Sequence, residues 1–122
     1  MDSNEITING IVHVPKDSIK GIIAKPRDGM KYCIVRTYSA GVFAGYLEKK
    51  EGKEVVVRDA RRIWSWAGAA TLSQLSIDGT ADPGNCKFPE AVNSVILTEA
   101  VEIIECTEVA RLSIKGVKIW KK

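Results

Sequence analysis

Three runs rich in β-branched and aromatic residues follow one another between Lys31 and Arg58, separated only by Ser39-Ala40-Gly41 and Glu51-Gly52. Tight connections of this kind join antiparallel neighbours, so Lys31–Tyr38, Val42–Lys49 and Glu54–Arg58 are expected to form a meander. Alternation along the first strand puts Tyr32, Ile34, Arg36 and Tyr38 on one face and Cys33, Val35 and Thr37 on the other. The first face mixes aromatic, aliphatic and cationic groups and is not expected to be uniformly buried. Gly45 lies inside the second strand, where a missing side chain suggests a bulge or a close backbone approach.

The rest of the chain reads around this meander. Residues 5–14 alternate about Asn9-Gly10, a strong hairpin signal because both central residues must reach positive φ, and Pro15 ends the second strand. Residues 16–29 read as a short helix or turn followed by a loop. Asp59–Trp66 leads into AGAATLSQLSIDG, whose small residues and Leu72/Leu75 spacing suit a helix stopped by Gly79. TADPGNCKFPE is a loop by composition. Val92–Leu97 and Ala100–Cys106 read as strands, Thr107 as the cap of a helix from Glu108 to Lys115 closed by Gly116, and Val117–Trp120 as a last short strand. The expected class is α+β: a single compact domain over 1–122, mainly antiparallel β-sheet with two or three short helices. Its parts are the hairpin 5–14, the main meander about 31–66, and C-terminal strands and helix about 92–120.

Bulk properties narrow the function classes. With 122 residues there is length for one core and not two. A net charge of +3 is too small for broad attraction to duplex DNA, so the positive charge is better described as local. Asp2 and Glu5 stand where a signal peptide needs a basic start, and Asn9-Gly10 cuts the first apolar stretch. Cys33, Cys86 and Cys106 are far apart with no CxxC, and His13 is the single histidine, so neither a zinc site nor any other metal is expected. Free thiols in a reducing compartment follow.

Ligand chemistry concentrates between Tyr32 and Trp66. This stretch holds Arg36, Arg58, Arg61 and Arg62 together with Trp64 and Trp66. Guanidinium groups pair with phosphates and aromatic faces stack on bases, so a phosphorylated, base-bearing ligand suits it. A solvated rim in which Asp59 pairs with a neighbouring arginine explains the basic cluster equally well. Trp64 and Trp66 share a face if the segment is extended. Trp66, next to the small-residue helix, suits the core, and Trp64 suits a ligand. The turn through Thr37, Tyr38, Ser39 and Phe43 offers hydroxyls, an aromatic edge and glycine-exposed amides, although an ordinary hairpin turn has the same composition. Phe88 and Asn93 lie in or beside the proline-containing loop, where Phe88 either reads a base or anchors the loop to the core. Arg111 either completes a phosphate clamp or is simply exposed. No catalytic residues are assigned: no HExxH, GxSxG or metal-type Asp cluster is present, and Glu99, Glu102, Glu105 and Glu108 read as mostly solvated.

The block KYCIVRTYSAGVFAGYLEKKEGKEVVVRDARRIWSWAGAATLSQLS, with the later NCKFPE and the closing VKIW, resembles the small phage anti-defence proteins that counter the Thoeris system. The resemblance spans roughly residues 30–120. It implies a non-enzymatic sponge, phage-encoded and acting in the host cytoplasm. Such a sponge binds the cyclic ADP-ribose isomer (glycocyclic ADPR) made by a TIR-domain protein and holds it intact. It further implies a homo-oligomer, a dimer or a hexamer built of dimers, with the ligand enclosed between subunits. In some members a separate site takes cyclic di- or trinucleotides of CBASS systems. On this resemblance Arg58 and Arg111 would meet phosphate, Phe88 or Trp64 would stack on adenine, and Asn93 and Thr37 would make polar contacts. No cofactor, membrane or duplex nucleic acid is expected. The alternative reading is a small phage nucleic-acid-binding protein, whose affinity for single strands would fall steeply with salt.

Overall fold

The computed structural model describes residues 6–8, 11–13 and 21–122. Strands β1 (Ile6–Ile8) and β2 (Ile11–His13) pair antiparallel in the expected hairpin, with Ile6 opposite His13 and Ile8 opposite Ile11. The Asn9-Gly10 turn, Pro15 and the stretch 16–20 fall outside the described residues. Residues 21–29 contain no helix. They end instead in a tight turn in which Asp28 and Gly29 both take positive φ and Arg27 and Met30 exchange backbone hydrogen bonds.

The main sheet comprises β3 (Lys31–Thr37), β4 (Val42–Glu51), β5 (Glu54–Arg62), β6 (Val92–Leu97) and β7 (Ala100–Glu105). All neighbours are antiparallel in the order β6-β5-β4-β3-β7. The meander is therefore central, and β5 runs on to Arg62 through a bulge after Arg58, where Asp59 takes φ 51°. Helices α1 (Leu72–Asp78) and α2 (Glu108–Gly116) complete an α+β domain. Thr71 caps α1 and Thr107 caps α2, each side chain accepting a backbone N–H three residues on. Gly79 ends α1 with φ 73°, and a Cβ there would meet Ser113 at 2.4 Å, so the glycine also sets how closely the two helices approach. Val117–Trp120 makes only a bridge from Ile119 to Phe88 and is not a strand. The 82–90 loop contains one 3-10 turn, Pro83–Asn85.

Sheet order and connectivity together force a curl. The outer strands β6 and β7 are joined only by Thr98 and Glu99. Three residue steps span at most about 11 Å, whereas the edges of a flat five-stranded sheet lie about 19 Å apart. The sheet must roll until these ends meet, and the Ala100 N–H duly donates to the carbonyl of Lys53 in the β4–β5 turn at 3.0 Å. Rolling gathers Cys33, Val35, Phe43, Val55, Val57, Ala60 and Leu97 into one core on the concave face. The convex face carries the other, where Tyr32, Ile34, Tyr46 and Phe88 pack under Leu72 and Leu75 of α1 and Ala110 and Ile114 of α2. Burial thus extends to Tyr32 and Ile34 on the mixed face, and only its Arg36 and Tyr38 end is exposed. Gly45 sits at a register shift between Ala44 and Tyr46, and a Cβ there would lie 2.7 Å from Val57 Cγ1, so bulge and close approach coincide.

Candidate functional site

Alternation along β5 separates its neighbouring arginines. Arg61 pairs across to Ala44 on the convex side, and Arg62 pairs to Phe43 on the concave side. Arg62 Cζ lies 4.3 Å from the Phe43 ring centroid, and its Nη1 donates to the Ala40 carbonyl at 2.5 Å. Two residues on, Trp64 is 64% exposed, its backbone held by a hydrogen bond from its N–H to the Lys87 carbonyl. Trp66 is half-buried against the convex core, and its indole N–H donates to the Ala69 carbonyl. Ser39, Ala40, Gly41, Val42, Arg62, Ile63, Trp64 and Trp66 line a cleft of about 520 Å³ at this end of the sheet.

The cleft's other wall is the β3–β4 turn, and Thr37 builds it. The Thr37 hydroxyl donates to the Gly41 carbonyl at 2.7 Å and accepts the Ala40 N–H at 2.9 Å, and Thr37 N–H donates to the same Gly41 carbonyl. Gly41 takes φ 94°, which a side chain would oppose. Ser39 Oγ donates to the Glu99 carboxylate, and the Glu99 carbonyl accepts the Tyr38 N–H, which ties the turn to the β6–β7 link. Tyr38 itself is 81% exposed beside this wall. Among the described residues no carboxylate stands within ion-pair distance of Arg62. Its guanidinium keeps donors for a ligand oxygen after the Ala40 bond is made.

The remaining sequence candidates do not join this cleft. Phe88 is fully buried in the convex core, which removes it as a stacking face and establishes the anchoring role. Arg61 is 7% exposed and points its guanidinium at main-chain carbonyls: Ile114 at 2.7 Å, Val117 at 2.5 Å, Pro89 at 3.0 Å and Phe88 at 3.1 Å. It holds the end of α2 and the chain beyond it against the 88–89 segment. Arg58 donates to Glu48 at 3.0 Å and to the Asn93 carbonyl at 3.2 Å on the exposed β5–β6 surface. Arg36 pairs with Glu102 at 3.1 Å. Arg111 grips Glu108 through two nitrogens, at 3.0 and 2.6 Å, and reaches the Tyr46 hydroxyl. Phe43 is buried beneath Arg62 as its platform, and Thr37 is buried as the turn's staple.

Some groupings escaped the sequence reading. Asp59, at φ 51°, is partnered by Lys115 at 3.0 Å and Arg27 at 3.5 Å rather than by its neighbours. It opens onto a smaller hollow of about 290 Å³ with Tyr32, Glu90 and Val117. The period-three glutamates are exposed or half-buried, but each faces a partner: Ser39, Arg36, Lys31 and Arg111 in turn. The first three lie opposite β3 or its turn, a pairing that only the sheet register reveals. Burial pushes the thiols of Cys33 and Cys106 up, to about 11 and about 12, and the Glu108 carboxyl is held low by its hydrogen bonds from Arg111. Among the described residues no His, Cys, Asp and Glu cluster suits a metal, and no helix is long and apolar enough to cross a membrane.

Comparison with known families fixes one affiliation. A family model described as a domain of unknown function, DUF6948, matches residues 30–114. The chain belongs to this family. No curated protein and no solved structure matches it. The DUF6948 match takes in the whole curled sheet, the Thr37–Gly41 turn, Arg62, Trp64 and most of α2, so the cleft lies within the family's span.

Proposed function

We propose that this protein binds a base-bearing, phosphorylated small molecule without turning it over, and that it acts as a sponge for a cyclic ADP-ribose isomer signal. One observation carries the reading. Arg62, with no carboxylate partner among the described residues, and the exposed face of Trp64 stand two residues apart on one cleft wall. A diphosphate suits the guanidinium, an adenine suits the indole, and ribose hydroxyls suit Ser39 and the backbone of the opposite turn. The resemblance to phage Thoeris anti-defence sponges supplies the ligand class. The cleft is open, so slow release requires closure by a second subunit.

Calorimetric titration with cyclic ADP-ribose isomers tests this directly. Binding near one ligand per cleft is expected, with the ligand recovered at unchanged mass after the protein is heated. Trp64→Ala should weaken binding by roughly 1–3 kcal/mol, the usual contribution of one stacked base. Recovery of ribose-phosphate fragments would show an enzyme instead. Binding of single-stranded DNA that collapses with salt, with no affinity for the isomers, would replace the sponge by the nucleic-acid reading.

A further inference from the structure

Among the described residues no strand pairs on the outer side of β6 or β7, and these two edges are unequally protected. The β7 edge carries Glu102 and Glu105, is bulged where Arg36 gives way to Thr37, and is tied at its start to the Lys53 carbonyl. Charge and irregularity of this kind keep an edge from pairing with another chain. Strand β6, VNSVIL, has none of these guards: no charge, no proline and no register shift against β5. It nevertheless exposes Val92 (49%) and Ile96 (62%), which lie on the same face with Ser94 between them. Apolar side chains beside unsatisfied strand donors and acceptors invite a further strand.

We infer that the β6 edge pairs antiparallel with the β6 edge of a second copy, about a two-fold axis through Ser94. The register follows from geometry. Directly opposed residues of antiparallel strands share a face, so an axis normal to the sheet must pair residues of equal parity. Centring on Ser94 sets Val92 against the partner's Ile96, Ser94 against the partner's Ser94, and Ile96 against the partner's Val92. The exposed apolar pair is thereby covered twice, and two hydroxyls meet on the axis. No charged side chain of either strand is brought against its twin. The same operation on β7 would set glutamates near glutamates. The result is one continuous ten-stranded sheet, joined at the strand farthest in sheet order from β7. Because β6 contributes nothing to the Arg62–Trp64 cleft, this pairing stands or falls independently of the ligand proposed for that cleft.

The test is sedimentation equilibrium of the full chain together with a cysteine on the axis. The wild type should show a mass rising with concentration to at least twice 13.4 kDa. Ile96→Lys, at an exposed position, should keep the wild-type circular dichroism and weaken association at least tenfold. Ser94→Cys should give a disulfide-linked dimer on mild oxidation, since opposed strand residues bring Cβ atoms within about 4.5–5.5 Å. Val101→Cys on β7 should not. A wild type that stays monomeric overturns the inference, as does a dimer indifferent to Ile96→Lys. A dimer broken by Ile96→Lys in which Ser94→Cys fails to cross-link overturns the Ser94-centred register.

Discussion

Arg61 and Arg62 are adjacent in the chain, yet one is structural and the other faces a cleft, because β alternation sends them to opposite sides of β5. Composition marked both as basic residues beside tryptophans. What composition does not contain is the set of carbonyls at Ile114 and Val117, more than fifty residues away, that Arg61 satisfies. Arg61→Ala should lower stability by about 3 kcal/mol or more, since hydrogen bonds from a charged donor contribute roughly 1.5–3 kcal/mol each and several buried carbonyls would be orphaned. Arg61→Lys should restore only part of this, because an ammonium lacks the planar fork. Urea midpoints decide it, and an unchanged midpoint for Arg61→Ala would remove the clasp. The Trp64/Trp66 distinction was legible, since one flanks a small-residue helix and the other does not. Phe88 was ambiguous for a physical reason: an aromatic in a loop has the same local sequence whether it faces inward or outward. Burial also sets thiol behaviour. With their ionisation raised, Cys33 and Cys106 should resist iodoacetamide at pH 8 in the folded protein and react in urea; mass mapping showing rapid native alkylation of either would contradict their placement.

Elements were easier to read than their ends. The meander, the Thr107 cap, the Gly79 stop and the presence of strands β6 and β7 were legible because turn chemistry and capping are local, whereas the Thr71 cap went unread. The extension of β5 to Arg62 and the absence of a final strand were not, since each depends on which distant segment offers a ladder. Gly45 illustrates a local signal with a tertiary cause: Gly45→Ala should destabilise by roughly 1–3 kcal/mol, because Val57 Cγ1 and the Arg58 carbonyl occupy the space a Cβ needs. Thermal melts would show it, and a neutral substitution would mean that the bulge relaxes. At the start of α2, Glu108 has its ionisation lowered by Arg111 and by the Lys25 N–H. A carboxyl lowered on folding stabilises above its ordinary value, near 4.5, and that contribution is lost as pH falls through the lowered value. Glu108→Gln should therefore reduce stability at pH 7, and the difference from wild type should shrink as pH falls below the ordinary value of 4.5 and through the lowered one. A constant difference from pH 7 to pH 3 would assign the effect to something other than ionisation.

At the scale of the whole molecule, the decisive property is the curl, and it was the least legible. Pairing β6 and β7 with each other is the natural reading of two strands separated by two residues. Instead they sit at opposite ends of the sheet order, and the sheet rolls to join them. Rolling gives a small chain two apolar cores from one sheet, and it brings the β6–β7 link against the Thr37–Gly41 turn through Glu99. One cleft wall is thus braced by the sheet's closure. A ligand held by both walls then stabilises the closed sheet as a unit, because it binds the folded state alone. At about a thousand times Kd, a cyclic ADP-ribose isomer should add about 4 kcal/mol, raising Tm by on the order of 10 °C for a domain of this size. Trp64→Ala should reduce the shift at the same ligand concentration while leaving the unliganded Tm nearly unchanged, since the indole is largely exposed. A Tm shift that Trp64→Ala leaves intact would place the ligand elsewhere on the molecule, with the hollow at Asp59 and Lys115 the next surface to examine.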